Sequence, residues 1–197
     1  FPSFKTETGQ LKKLVIRRRY WLYYALQFLS GARRQIFVVF AGFMMVEKFG
    51  FEVHQLTALF LVNLVINIFA APLFGYFVAF FGERRALLIE YSGLIFVFLA
   101  YGGIYIFDWG VMFAATLFVL DHLFFGLRMA LKTYFQKISA PEDIAPTAAV
   151  AFTINHIAAV FLPVFLGLLW LVSPALVFII AASVSYTHLR AHETLTD

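Results

Sequence analysis

The chain has 197 residues, 62% of them hydrophobic and 13% charged, with a mean hydropathy of +0.87 and a net charge of +4. So little charged surface cannot cover a soluble globule of this length, which leaves an integral membrane protein. The absence of cysteine excludes a disulfide framework, a thiolate metal site and a cysteine nucleophile together.

Residues 1–19 are basic, with Lys12, Lys13, Arg17, Arg18 and Arg19, and contain no apolar signal-peptide core. This segment reads as a cytoplasmic linker within a longer chain. Leu11, Leu14 and Val15 among its basic residues permit a short helix on anionic headgroups. Five apolar stretches follow, at residues 20–46, 55–81, 86–107, 110–131 and 147–172. Each reaches the roughly 20 residues that a helix needs to cross a bilayer. They are apolar on every face and about twice as long as a barrel strand, so the fold class is an all-α integral membrane protein.

Basic residues mark alternate loops. They precede the first span, join the second to the third as Arg84 and Arg85, and follow the fourth as Lys132 and Lys137. The other turns hold Glu47, Lys48 and Glu52, then Asp108 and Trp109, then Ser173 and Pro174. Lys and Arg mark the cytoplasmic face, so this asymmetry predicts a cytoplasmic N-terminal linker and a multi-pass protein. The pI of about 9.4 is a consequence of topology, not of nucleic-acid binding. Tyr20, Trp21, Tyr23 and Tyr24 are expected anchors at one interface, Trp109 and Trp170 at the other.

Within the first span, Arg33 and Arg34 lie about 20 Å from its entrance at 1.5 Å per residue, near the midplane. Gln27, Ser30 and Arg34 share one stripe, which favours Arg34 over Arg33 as the functional residue; the alternative is a packing role. Asn63 and Asn67, four residues apart in the second span, are expected to bridge helices in preference to binding substrate.

The second span closes and the third opens with GYFVAFFGERR, Gly75 to Arg85. Gly75 is expected to let two helices approach, Gly82 to allow a reversal, and Arg84 and Arg85 to hold the turn in the cytosol. This run resembles the signature loop of the major facilitator superfamily. Gly75, Gly82, Arg84 and Arg85 match, while Ala79 and Phe80 stand where the family carries an acidic and a basic residue, as in the loop of its C-terminal half. The resemblance extends over 20–182 and implies a twelve-helix fold in two six-helix halves that moves substrate by alternating access. This chain is then the C-terminal half, from a bacterial inner membrane, with the missing N-terminal half of the same chain as its partner.

Glu90, one turn into the third span, is expected to pair with Arg84 or Arg85. Asp121 and His122 lie at mid-depth in the fourth span and point about 100° apart. Asp121 either pairs with Arg33 or Arg34 or titrates in proton coupling. Glu142 and Asp143 before Pro146 form an acidic helix entrance. In the fifth span Asn155 and His156 precede Pro163, a potential kink; a neutral, interhelical His156 is favoured over a proton carrier.

A sixth apolar run begins at Pro174 and gives way after PALVFIIAA. The string VSYTHLRAHET, Val184 to Thr194, resembles a reading frame of a transposase-type sequencing-library adapter. A truncated sixth helix and a foreign tail over 183–197 are therefore expected, so His188, His192 and Glu193 are not read as metal ligands and no metal site is predicted.

Arg33, Arg34, Asn63, Asn67, Asp121, His122, Asn155 and His156 thus converge on one depth, where transporters place their sites. The expected function is secondary active transport of a small solute, an organic anion moved with protons. No P-loop, HExxH or GxSxG motif suggests an enzyme or a cofactor. The alternative is a polytopic membrane enzyme or assembly factor using Asp121, His122 and His156 on lipid-borne substrates.

Overall fold

The computed structural model describes residues 16–193, in which six helices are joined by short turns. The linker up to residue 15 lies outside the described residues, as do the side chains of His188, His192 and Glu193. Helix α1 is Arg18–Glu47, α2 Val53–Phe81, α3 Glu83–Phe107, α4 Val111–Ile138, α5 Pro141–Trp170 and α6 Pro174–Glu193. The first five are long and apolar enough to cross a membrane, as a multi-pass membrane protein requires.

Two helices depart from regular α geometry. In α1 the α-helical Trp21–Gln35 passes into a π-helical stretch, Ile36–Ala41, before Gly42–Glu47 resumes the α form. In α4 the helix breaks after Gly126 and restarts at Met129. Across that break Leu127 donates to the Phe124 carbonyl and Arg128 to the Phe125 carbonyl, tightening the turn to three-residue spacing.

The helix reversals have local causes. Gly82, at φ +82°, turns the chain from α2 to α3 as expected. Gly75 corrects the expectation of a close approach, because a Cβ there would meet nothing within 4 Å. The α2 entrance is capped reciprocally, with Glu52 and Gln55 each receiving the other's backbone N–H.

Packing pairs α3 chiefly with α6, α1 with α5, and α4 with α3 and α2; α1 also meets α6, and α2 and α5 meet α3 and α6 respectively. Renaming α1 as α4, α2 as α5 and α3 as α6, and the reverse, returns these pairs, whereas the smaller α1–α2 contact beside their turn has no α4–α5 counterpart of the same extent. Two apolar clusters fill the bundle, one around Tyr20, Leu87, Tyr91 and Leu131 at the basic end, the other around Phe40, Phe98, Phe118 and Phe178 at the opposite end. In lipid, helix association depends on such close contact more than on apolar burial.

Several expected features take a different form. Tyr20, Tyr23, Tyr24 and Trp170 are buried in the bundle, whereas Trp21 is exposed. Aromatic rings at the ends of spans serve packing: Phe40, Phe43, Tyr105 and Phe178 surround Trp170, whose Nε1 donates to Glu47 at 2.9 Å. Asp143 is a buried latch as well as part of a helix entrance. It accepts from Arg17 Nε and Tyr20 Oη, both at 3.2 Å, and ties the start of α1 to the start of α5. The sixth helix does not stop at Ala182. Ser183, Ser185 and Thr187 each return a hydroxyl hydrogen bond to the carbonyl four residues earlier, and Leu189 packs against the basic-end cluster.

Among the described glycines, the closest approach to another helix's backbone lies where Gly31 of α1 faces Asn155 of α5. A Cβ at Gly31 would stand 2.9 Å from the Asn155 carbonyl oxygen, a backbone atom that cannot rotate away. Gly31→Ala is expected to destabilise the bundle by about 1–3 kcal/mol, as overpacking does. Gly167→Ala, where nothing lies within 4 Å, is expected to leave the thermal midpoint in detergent unchanged or raised.

At the end opposite the basic loops, Lys48 Nζ donates to Asp108 Oδ1 at 2.8 Å, joining α1 to the α3–α4 turn. This hydrogen bond and the Lys48 charge hold the Asp108 carboxyl below its ordinary value of 3.8. A depressed folded-state pKa contributes stability that is present above 3.8 and lost as pH falls through the lowered value. Asp108→Asn is expected to flatten the acid limb of the stability profile below that pH, by a small amount because the carboxylate is exposed. Equal acid sensitivity in the variant and the parent would contradict the assignment.

Candidate functional site

The mid-depth residues separate: Arg33, Asn63 and Asp121 are buried in the bundle, Arg34, Asn67, Asn155 and His156 line a cavity, and His122 does neither. The buried group centres on Arg33, whose Nη2 donates to Glu90 Oε1 at 3.0 Å, with both side chains essentially inaccessible. Its guanidinium also lies 5.0 Å from the Phe125 ring centre and 5.9 Å from that of Tyr91. Glu90 therefore holds α3 to α1. The expected pairing with Arg84 or Arg85 is corrected: those two residues are exposed at the turn, while Glu90 points into the bundle. The turn is instead secured by Glu83, which pairs with Lys137 of α4.

Asp121 is buried on α4 within electrostatic reach of Arg33 and Glu90, and makes no ion pair with Arg33 or Arg34 among the described residues. Two buried carboxylates thus face one fully buried guanidinium. His122 lies on another side of α4, half-buried, with its ring 6.4 Å from that of Phe37. Asn63 is buried with neither side-chain polar atom hydrogen-bonded. The expected bridging of helices by Asn63 and Asn67 has no hydrogen bond behind it among the described residues.

Arg34 turns the other way. It lines a cavity of about 640 Å³ walled by α1, α2, α4 and α5, together with Gln27, Asn67, Arg128, Lys132, Gln136, Asn155 and His156. Tyr23, Phe74, Phe125, Phe135 and Phe152 supply aromatic wall. Four of the eight midplane candidates therefore share one cavity: Arg34, Asn67, Asn155 and His156. Arg33, Asn63, Asp121 and His122 do not line it. No hydrogen bond or ion pair joins Asp121, His122 and His156 among the described residues.

Local hydrogen bonds set the cavity wall. Asn155 Nδ2 donates to the Gln27 carbonyl at 3.3 Å, and Arg128 Nη2 to Gln27 Oε1 at 3.4 Å. His156 Nδ1 faces the Phe152 carbonyl at 2.9 Å. A carbonyl only accepts, so Nδ1 carries a proton and Nε2 is left for another partner. Arg128 also lies 5.2 Å from the Phe125 ring, between the cavity and the buried Glu90–Arg33 pair, and feels both.

Arg128, Lys132 and Gln136 escape a search for mid-depth charges because they sit at the end of the fourth apolar stretch and in the loop after it. Their four-residue spacing was the available signal, since it aligns all three on one helix face. Glu90 was visible in the sequence, but its partner, 57 residues away on another helix, was not.

The buried pair predicts a non-additive response. Arg33→Met or Glu90→Leu alone is expected to cost about 3–5 kcal/mol, because each strands a buried charge. The double variant is expected to recover much of that loss in detergent unfolding. Additive losses would show that the pair is not coupled. No family model, curated protein or solved structure matches the chain.

Proposed function

We propose that the chain belongs to a secondary active transporter that carries a small solute by alternating access. The carrying observation is the pattern of the main helix contacts: exchanging α1–α3 with α4–α6 returns every pair but the small α1–α2 contact. Because successive spans reverse direction, the two triplets enter from opposite ends, which is the arrangement of an inverted-topology repeat. The cavity walls α1, α2, α4 and α5 are interchanged by the same operation, while α3 and α6 pair outside it.

Transporter sites form where helices are discontinuous near the bilayer midplane. Both helices that contribute arginines to the cavity are irregular beside them: α1 changes to π geometry two residues after Arg34, and α4 breaks at Leu127–Arg128, nearer its basic end. The Gly75–Arg85 loop supports the narrower reading of a major facilitator half. On this reading the basic loops are cytoplasmic, the cavity opens towards the cytosol of a bacterial cell, and a second six-helix half completes it.

The three cavity cations favour an anionic solute. Glu90 and Asp121 around Arg33 supply the coupling group: with one more acid than base, the buried cluster can be balanced by a proton. Arg128 links this cluster to the cavity.

The native chain has no cysteine, so single cysteines replacing Asn67 or His156 can report access without background. In vesicles of both orientations, a membrane-impermeant thiol reagent is expected to label each from the basic side and, under an ion gradient or with solute, from the opposite side. Labelling confined to one side under every gradient and solute would rule out the transport reading.

A further inference from the structure

The acids and bases of the described residues are distributed unequally, and part of the imbalance falls on the cavity. Asp143 takes Arg17 and Arg19, Glu90 takes Arg33, Asp108 takes Lys48, and Glu83 takes Lys137. Among the described residues Arg18, Arg34, Arg84, Arg85, Arg128, Lys132 and Arg190 remain without an ion pair; three of them, Arg34, Arg128 and Lys132, stand together in the cavity wall, and no carboxylate lines that wall. The nearest anchored acceptor is the neutral Gln27 Oε1 on Arg128. Three cations on one cavity wall, Arg128 half-buried and Arg34 and Lys132 exposed, favour an anion where no carboxylate competes.

Their placement also bears on the number of charges the anion carries. Arg34 and Arg128 lie close enough to repel one another and form one positive centre. Lys132 is one helical turn from Arg128, about 6 Å along the axis, and forms a second. Gln27, Asn67, Gln136 and Asn155 provide amide groups between and beside these centres.

We propose that this cavity binds a short organic dianion of the dicarboxylate type, one carboxylate between Arg34 and Arg128 and the other at Lys132. The inference rests on the cavity being the solute site of the transport reading, and specifies the substrate class. A guanidinium pair suits a planar carboxylate by paired hydrogen bonds, whereas an ammonium acts as a point charge and tolerates varied chain length.

The test uses the chain in phosphatidylcholine nanodiscs, titrated calorimetrically with succinate, glutarate and adipate and with butyrate, pentanoate and hexanoate. At least one dicarboxylate is expected to bind saturably, with the monocarboxylate of equal length about tenfold weaker or worse, the loss expected for one charged hydrogen-bonding group. Arg34→Gln and Lys132→Gln are each expected to weaken it by about tenfold. Arg18→Gln, an exposed charge at the same end of the bundle, is expected to leave binding unchanged.

Absence of dicarboxylate binding, equal binding of the monocarboxylates, or an equal loss in Arg18→Gln would overturn the proposal. So would Arg34-dependent binding of phosphatidylglycerol that dicarboxylates cannot displace, which would assign the cavity to a lipid headgroup. Dicarboxylate binding together with one-sided cysteine labelling would retain this inference and end the transport reading. Two-sided labelling without dicarboxylate binding would do the reverse.

Discussion

The Arg33–Glu90 pair is the constraint on which the arrangement of the bundle turns. A charged side chain at mid-depth is costly in hydrocarbon, so a guanidinium and a carboxylate there must find each other or water. Their contact at 3.0 Å joins α1 to α3. Helix α1 is held on its other side by α5, through the Gly31–Asn155 approach, and α3 by α6. One ion pair thus connects the two most extensive helix pairings.

The same pair determines what reaches the cavity. Successive residues on a helix point about 100° apart, so when Arg33 turns inward to Glu90, Arg34 must emerge on a different face. That face meets α4 and α5. Arg128 approaches the same space from the break in α4 and senses both the buried pair and Arg34. A displacement of Arg128 towards a bound anion would alter the field on Glu90. Occupancy of the cavity and charge in the buried cluster are therefore linked through one side chain.

The spans were legible because an apolar run of this length has one stable structure in a membrane. The depth of the polar residues was legible as well, since a constant rise per residue converts sequence position into height. The direction in which each pointed was not. Arg33 and Arg34 are indistinguishable by depth, and their separation into a buried pair and a cavity residue depends on where α3 lies. Asn63 and Asn67 look like one polar pair at helical spacing, yet the packing of α2 buries the first and leaves the second on the cavity. Arg128 was hidden by its place near the end of an apolar run, where a basic residue reads as an ordinary topological signal.

The irregular segments give the internal exchange of helices a physical meaning. Helices α1 and α4 are interchanged by it, and each leaves α geometry close to the arginine it contributes to the cavity. A regular helix offers no free backbone groups and resists bending, whereas a π stretch or a tight three-residue turn weakens the ladder at one level. If the two triplets rock against each other, these are the levels at which α1 and α4 can bend without unpacking the contacts at either end. Asp143 with Arg17 and Tyr20 secures one end, and Glu47 with Trp170 and Lys48 with Asp108 secure the other. Rigid ends and a yielding middle put the cationic cavity beside the part of the bundle best able to move.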